Sequence, residues 1–172
     1  MLGVLRTRNK GFTIVELLIV IVVIAILAAI TIVAYTGIQE RAKNTQMVSV
    51  VEAYTKGLKA YLVQNNDTMP VSSTACFNGN ACWGGVTAST SQTLLAAMGT
   101  VMGTLPSIPS PYAMLIVPNG TTADSVNGGN YTGHYILYQQ SDTFDCTEVL
   151  GMRYLNDSVA AVGIKNCRLA FE

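Results

Sequence analysis

The chain has 172 residues, the length of one domain with an appendage rather than of two full domains. Its ten basic and ten acidic side chains cancel, so the chain lacks the basic balance of a dedicated nucleic-acid-binding protein. Hydrophobic residues make up 50% of the chain and charged residues only 12%, which excludes intrinsic disorder as the main state. This composition suggests that the apolar residues are concentrated in one region.

An apolar segment near the N-terminus is that region. No charged residue occurs from Leu17 to Gln39, a stretch of 23 residues. As a helix it would be roughly 35 Å long, enough to cross a hydrocarbon core of about 30 Å. The alternative is a buried core helix, but one small domain could hardly cover such a helix on all sides. The segment therefore predicts a membrane-spanning helix.

Basic residues precede this segment and set its expected orientation. They are Arg6, Arg8 and Lys10. Positive charge before an apolar helix holds the N-terminus on the cytoplasmic side, which places the following domain outside the cytoplasm. A cleavable secretory signal would end after an apolar stretch of about 7–15 residues, whereas this stretch continues beyond its alanines. An uncleaved apolar helix is the better interpretation.

Glu16 does not suit a simple membrane anchor. It lies among apolar residues, and an acid within a membrane is a functional candidate because its burial is unfavourable. The alternative is that Glu16 lies at the level of the lipid headgroups, close to the basic flank.

The segment from Lys10 to Leu18, KGFTIVELL, resembles the processing and methylation motif of type IV prepilins. The resemblance implies that a prepilin peptidase cuts after Gly11 and methylates the new amine of Phe12. It also implies that the unpaired carboxylate of Glu16 pairs with that amine on a neighbouring subunit. Cleavage would remove three basic residues and leave seven against ten acidic ones.

The same resemblance implies a division of the chain and a function. Residues 1–11 form the leader, 12–36 the membrane and filament-core helix, and 37–172 the globular head. The protein is expected to be a structural subunit, the major pilin, of an extracellular filament. It would be a homopolymer assembled with the peptidase, an assembly ATPase and a platform membrane protein. The alternatives are a pseudopilin of a secretion or DNA-uptake system and a membrane-anchored binding module that does not polymerise.

A second helical pattern follows the apolar segment. Five residues recur at spacings of three and four and form one face of an amphipathic helix: Val48, Val51, Thr55, Leu58 and Leu62. A coiled-coil seam is the alternative, but packing under the protein's own sheet is favoured because the pattern lasts only about two heptads. We therefore predict one helix from Thr13 to Gln64, ended by turn formers and Pro70.

The rest of the chain predicts short elements. Ser91 to Met102 reads as a helix with Thr90 or Ser91 as its N-cap. The predicted strands are Tyr112 to Val117, His134 to Gln140, Val149 to Leu155 and Val159 to Ile164, with a turn at Asn156-Asp157. A long helix followed by neighbouring short strands indicates an α+β fold with an antiparallel sheet, which is also the pilin arrangement.

Four cysteines follow the apolar helix, and three pairings are possible. We prefer Cys76 with Cys82, because that pair closes a small loop around an Asn-Gly turn. We also prefer Cys146 with Cys167, which would tie the C-terminal segment to the region before the last strands, and the resemblance supports this pair because a C-terminal disulfide loop is common among pilins. A zinc site is the alternative, but paired CxxC units are absent from the sequence.

The sequence shows no catalytic motif, so we do not expect an enzyme or a cofactor. His134 is the single histidine and is expected to be structural. Asp142, Asp145 and Glu148 form an acidic cluster beside Cys146. They are weak calcium candidates, since major pseudopilins often hold calcium in this part of the chain, and a solvated turn is the preferred interpretation.

Overall fold

The computed structural model describes residues 11–79, 82, 86–146 and 152–171, apart from the side chain of residue 33. The basic residues of the predicted leader, Glu148 and the start of the predicted strand at Val149 lie outside these residues. The elements are α1 (Ile14–Gln64), β1 (Ala75–Cys76), α2 (Ala88–Met102), β2 (Met114–Ala123), β3 (Asn130–Ser141), β4 (Arg153–Ala161) and β5 (Ile164–Ala170). The chain divides into two compact units, one ending at Glu40 and the other beginning at Arg41.

The α1 helix has 51 residues and confirms the predicted long helix within one residue at its start. In the C-terminal unit, the predicted apolar face is buried at Val51, Thr55 and Leu58 and half-buried at its two ends. Met47 and Tyr54 widen this face and belong to the main core. After Gln64 the helix ends because Asn66 and Asp67 adopt positive φ values of 51° and 57°.

The α2 helix begins three residues earlier than predicted, and its N-cap is Thr87 rather than Thr90 or Ser91. Thr87 has extended backbone angles, and its side chain accepts a hydrogen bond from the Thr90 backbone N–H at 3.3 Å. Ser91 is fully buried inside the helix, where its hydroxyl accepts a hydrogen bond from the Cys76 N–H at 3.0 Å. This contact with β1 gives Ser91 a tertiary role that local capping rules do not reveal.

The five strands form one antiparallel sheet in the order β1-β2-β3-β5-β4. One face of β2 and β3 packs into the core formed with both helices, through Met114, Ile116, Ile136 and Tyr138. On the other face, Leu115 and Leu137 pack with Cys76 and Val86. Both faces of these central strands are therefore covered, which explains their continuous apolar sequences. The α+β class is confirmed.

The β2 strand is longer than predicted because it continues past Pro118. Its register with β3 shifts between Val117 and Gly120, where Asn119 adopts a φ of 52°. The Asn119 N–H donates to the Nδ1 atom of His134 at 3.1 Å. His134 therefore satisfies the backbone of this bulge, as a structural histidine would.

The two C-terminal strands differ from the predicted ones. Asn156 and Asp157 do not form a turn but lie inside β4, and the turn falls instead at Val162-Gly163. The register shifts between Tyr154 and Asn156, and the Asn156 side chain is buried against β2, where it donates to the Ala123 carbonyl. Because β2 provides a hydrogen-bond acceptor for the Asn156 side chain, the pairing of strands outweighs the local preference of Asn for a turn.

Candidate assembly site at the start of the first helix

The start of α1 carries the residues predicted to direct processing and assembly. Gly11, Phe12 and Thr13 are not helical, and all three are exposed. Among the described residues, a Cβ atom added at Gly11 would meet nothing within 4 Å. The bond between Gly11 and Phe12 is thus in a non-helical, exposed segment directly before the helix. A protease can approach such a segment without unfolding an element of secondary structure.

Thr13 and Glu16 cap the helix reciprocally. The Thr13 N–H donates to the Glu16 Oε2 atom at 2.9 Å, and the Glu16 N–H donates to the Thr13 Oγ1 atom at 3.2 Å. The Thr13 hydroxyl also donates to the same carboxylate oxygen at 2.8 Å. This arrangement is a capping box, which satisfies two of the backbone donors that a helix start leaves open.

The capping box changes the expectation for Glu16 before assembly. We predicted an acid without a partner, whereas within the single chain its carboxylate accepts two hydrogen bonds from Thr13. The carboxylate also lies in the first turn, where the helix dipole favours negative charge. The signal for this contact was present in the sequence as Thr13-x-x-Glu16, the pattern of a capping box, and was not recognised there.

An apolar surface begins directly after this cap. Every described side chain from Leu17 to Gln39 is exposed within the chain, and most of them are large and hydrophobic. Among the described residues, α1 is the one helix long and apolar enough to cross a membrane. The Thr31 hydroxyl donates to the Ala28 carbonyl at 3.0 Å, so this polar group needs no water in an apolar environment.

The structure contains both preferred disulfides in the C-terminal unit. Cys76 pairs with Cys82 across Cα atoms 5.9 Å apart, and Cys146 pairs with Cys167 across 5.5 Å. The second bridge joins the segment after β3 to β5. No cysteine is left to bind zinc, because all four are paired.

The acidic cluster is only partly described. Asp142 and Asp145 are exposed in the connection after β3, and the Asp142 N–H donates to the Gly163 carbonyl at 3.2 Å. Within the described part of the chain, no group of three His, Cys, Asp or Glu side chains could hold a metal ion. The two aspartates are therefore not joined by a third described ligand.

Comparison with known proteins gives matches at the same end of the chain. Residues 6–32 match the model of the prokaryotic N-terminal methylation motif. The chain is 43% identical over 60 residues to the type IV wide pilus major component PilA4 of Thermus thermophilus, which is 34% of this chain and 46% of that protein. It is 32% identical over 63 residues to a fimbrial protein of Neisseria meningitidis, 37% of each chain. The chain thus spans less than half the length of these relatives, and no solved structure matched it.

Proposed function

We propose that this chain, whose N-terminal motif and relatives are those of type IV pilins, is the major structural subunit of a type IV pilus. The observation that carries the proposal is the capped helix start followed directly by an exposed apolar helix surface. Such a surface needs a covering, and a membrane and then other copies of the same helix supply it in turn. The similarity to a major pilus component favours the major subunit over a pseudopilin.

The first step is the removal of residues 1–11 by a prepilin peptidase, which then methylates the amine of Phe12. The matched motif spans this bond, and Phe12 is 83% exposed. Residues 12–36 then serve as the membrane and filament-core helix, and residues 37–172 as the head. The basic leader keeps the N-terminus inside the cytoplasm until cleavage, and the finished filament lies outside the cell. An assembly ATPase and a platform membrane protein complete the machinery.

The second step uses the charge of Glu16. Cleavage creates a positive amine at Phe12, and in the filament the Glu16 carboxylate pairs with this amine on a neighbouring subunit. In the single subunit, the Thr13 cap holds the carboxylate at the helix start and satisfies it. Assembly therefore exchanges or supplements hydrogen bonds from the neutral donors of Thr13 with a pair in which both partners are charged.

The test separates the charge of Glu16 from its capping role. Glu16→Gln keeps a capping box, because Gln is accepted at this position, but removes the charge. Glu16→Val removes both. Glu40→Gln is the matched control, since Glu40 is an exposed acid on the same helix. For each variant, mature subunit is measured in membranes and in filaments sheared from the surface, by gel and electron microscopy.

We expect both Glu16 variants to be cleaved and inserted normally but to lose filaments by more than about tenfold, because losing one member of a buried pair is worth about 3–5 kcal/mol. Glu40→Gln should form filaments at the normal level. Normal filaments from Glu16→Gln would show that Glu16 acts only as a cap. Filaments in which this subunit is scarce would contradict its assignment as the major pilin.

A further inference from the structure

The tip of the β4–β5 hairpin is apolar and exposed. We call residues Val159 to Gly163 the hairpin tip; its sequence is VAAVG, without a polar side chain. Val159 is 81% exposed and Val162 is fully exposed, and the two alanines between them are also exposed. Turns between strands usually carry Gly, Asn, Asp or Ser, which face water without penalty. The adjacent exposed side chains from Val159 to Val162 form an apolar patch that an apolar partner would cover.

The hairpin tip lies at the end of the sheet where α1 enters the C-terminal unit. Ile164, the first residue after the tip, pairs with Ser141 at the end of β3. The Ser141 N–H donates to the Oδ1 atom of Asn44 at 3.1 Å, and Asn44 is three residues after Arg41, where the unit begins. The tip is therefore level with the first turn of α1 inside this unit.

Chain length alone keeps this end of the unit close to a membrane that holds the apolar helix. Ile38 is the last large apolar residue of the uncharged stretch. Six residues lead from Ile38 to Asn44, and six residues span at most about 20 Å even when fully extended. A bilayer around the apolar helix is thus within reach of the hairpin tip in every single subunit.

Charge does not select the partner at this end. Arg41 and Lys43 are exposed there, but so are Asp142 and Asp145. Opposite charges in similar number give little net attraction for anionic lipid headgroups. The apolar side chains of the tip are then the groups that would hold the contact, as in proteins that insert a few apolar residues at the lipid boundary.

We propose that the hairpin tip docks into the lipid boundary of the membrane beside the anchoring helix, in the subunit that has not yet joined a filament. The inference rests on the proposed function in one respect, since it needs α1 to be held in a membrane. It goes beyond that function because it assigns a second membrane contact to the head. The contact is lost when the subunit leaves the membrane.

The experiment uses the full chain in phosphatidylcholine nanodiscs loaded with one chain each. Val162→Cys carries an environment-sensitive fluorophore, and labelling is selective because the four native cysteines are paired. Val126→Cys is the matched control, since Val126 is an exposed valine in the turn between β2 and β3. The control site is far from the hairpin tip. The Ser125 N–H, next to Val126, donates to the Leu155 carbonyl, and Leu155 is seven residues from Val162 along β4, a distance of about 23 Å.

We expect a nitroxide-bearing lipid to quench the label at 162 severalfold and to leave the label at 126 unchanged. Adding salt should not reduce the quenching. In the chain labelled at 162, Val159→Ala should lower the ratio of docked to undocked tip by up to about tenfold, as expected for losing two buried methyl groups.

Three outcomes would overturn the proposal. The label at 162 is not quenched, or both labels are quenched equally, or quenching requires several chains in one nanodisc. The last result would identify a second copy as the partner. A label placed at Ile24→Cys within α1 checks the anchor independently. If the label at position 24 is not quenched, α1 is not in the membrane and the proposed function fails. If the label at position 24 is quenched and the label at position 162 is not, only the docking of the tip is contradicted.

Discussion

At the scale of single residues, Asp124 is a buried charge of the C-terminal unit that several donors hold. Its side chain is buried and accepts hydrogen bonds from the Asn127 N–H at 3.0 Å and from the Val126 N–H at 3.1 Å. Arg153 forms an ion pair with it at 2.5 Å. These donors, the Asn127 N–H first and Arg153 second, lower the pKa of the Asp124 carboxyl to about 2. Asp124 thereby joins the β2–β3 turn to the start of β4.

This lowered pKa predicts how the stability of the protein depends on pH. A carboxyl with a lowered pKa in the folded state stabilises the fold above its unfolded pKa, near 4, and the contribution is lost as pH falls towards about 2. Asp124→Asn should lower the melting temperature at pH 7. The difference between the two proteins should shrink between about pH 4 and pH 2.

The measurement is thermal unfolding of the full chain in detergent micelles across that pH range. Asp142→Asn is the control, because Asp142 is an exposed aspartate of the same unit. The two proteins could instead differ in melting temperature by the same amount down to pH 2. That result would contradict the assigned role of the Asp124 charge.

At the scale of elements, Gly57 allows α2 to approach α1. A Cβ atom at Gly57 would lie 2.6 Å from the Cγ atom of Met102, at the end of α2. Cβ atoms essentially never lie so close, so the Met102 side chain would have to shift to admit any other residue at position 57. Gly57 is helical, and its presence in the middle of α1 is explained by this packing and not by the helix itself.

This packing predicts that Gly57→Ala changes the stability of the protein in opposite directions, depending on whether Met102 is present or replaced by Ala. Gly57→Ala should destabilise the protein by roughly 1 kcal/mol, because overpacking of about 1–3 kcal/mol exceeds the gain of about 1 kcal/mol in helix propensity. In a Met102→Ala background, the same change should stabilise by about 1 kcal/mol. Denaturant unfolding of the unchanged protein, the two single variants and the double variant measures both effects. Equal effects of Gly57→Ala in both backgrounds would show that Met102 is not the obstacle.

The two disulfides should differ in their contribution to stability. Their sequence separations are 21 residues for Cys146–Cys167 and six for Cys76–Cys82. Chain-entropy reasoning then gives about 3 kcal/mol for the longer loop and about 2 kcal/mol for the shorter one. Replacing each pair by serine and measuring unfolding by denaturant tests the order. A larger loss for the Cys76–Cys82 pair would mean that native packing, not loop length, dominates.

At the scale of the whole molecule, the proposed function requires that removal of the leader converts the chain from a membrane protein to a filament subunit. We predict that Gly11→Val leaves the full-length precursor in the membrane, because a branched side chain hinders the approach of the peptidase. In the folded chain, a Cβ at position 11 meets nothing within 4 Å, so the variant should fold normally. Gly37→Val is the control, since Gly37 is exposed on α1 and a Cβ there also meets nothing within 4 Å.

Gel mobility of the membrane-bound chain measures the cleavage. The Gly11 variant should run at precursor size, with unchanged disulfides, and the Gly37 variant should run at mature size. A mature-sized Gly11→Val chain would disprove the position of the cleavage site. Accumulation of both precursors would point to a general defect in membrane insertion.

Several features of this protein follow from the sequence by itself because they depend on neighbouring residues. The extent of α1 follows from a continuous helical pattern and from turn formers at its end. Its suitability for a membrane depends on length and composition alone. The capping box at Thr13 and Glu16 is a local pattern as well, and the resemblance to prepilins rests on the same few residues. The small loop closed by Cys76 and Cys82 is equally local.

Other features were decided only by the tertiary structure, because they depend on residues far apart in the chain. Asn156 prefers turns locally, yet β4 continues through it because its amide is satisfied by β2. Thr87, not Thr90, caps α2, since Ser91 inside that helix bonds to β1. The pair Asp124–Arg153 and the contact of Asn44 with Ser141 join residues 29 and 97 positions apart. Their free energy comes from burial and strand pairing, which no window of local sequence contains.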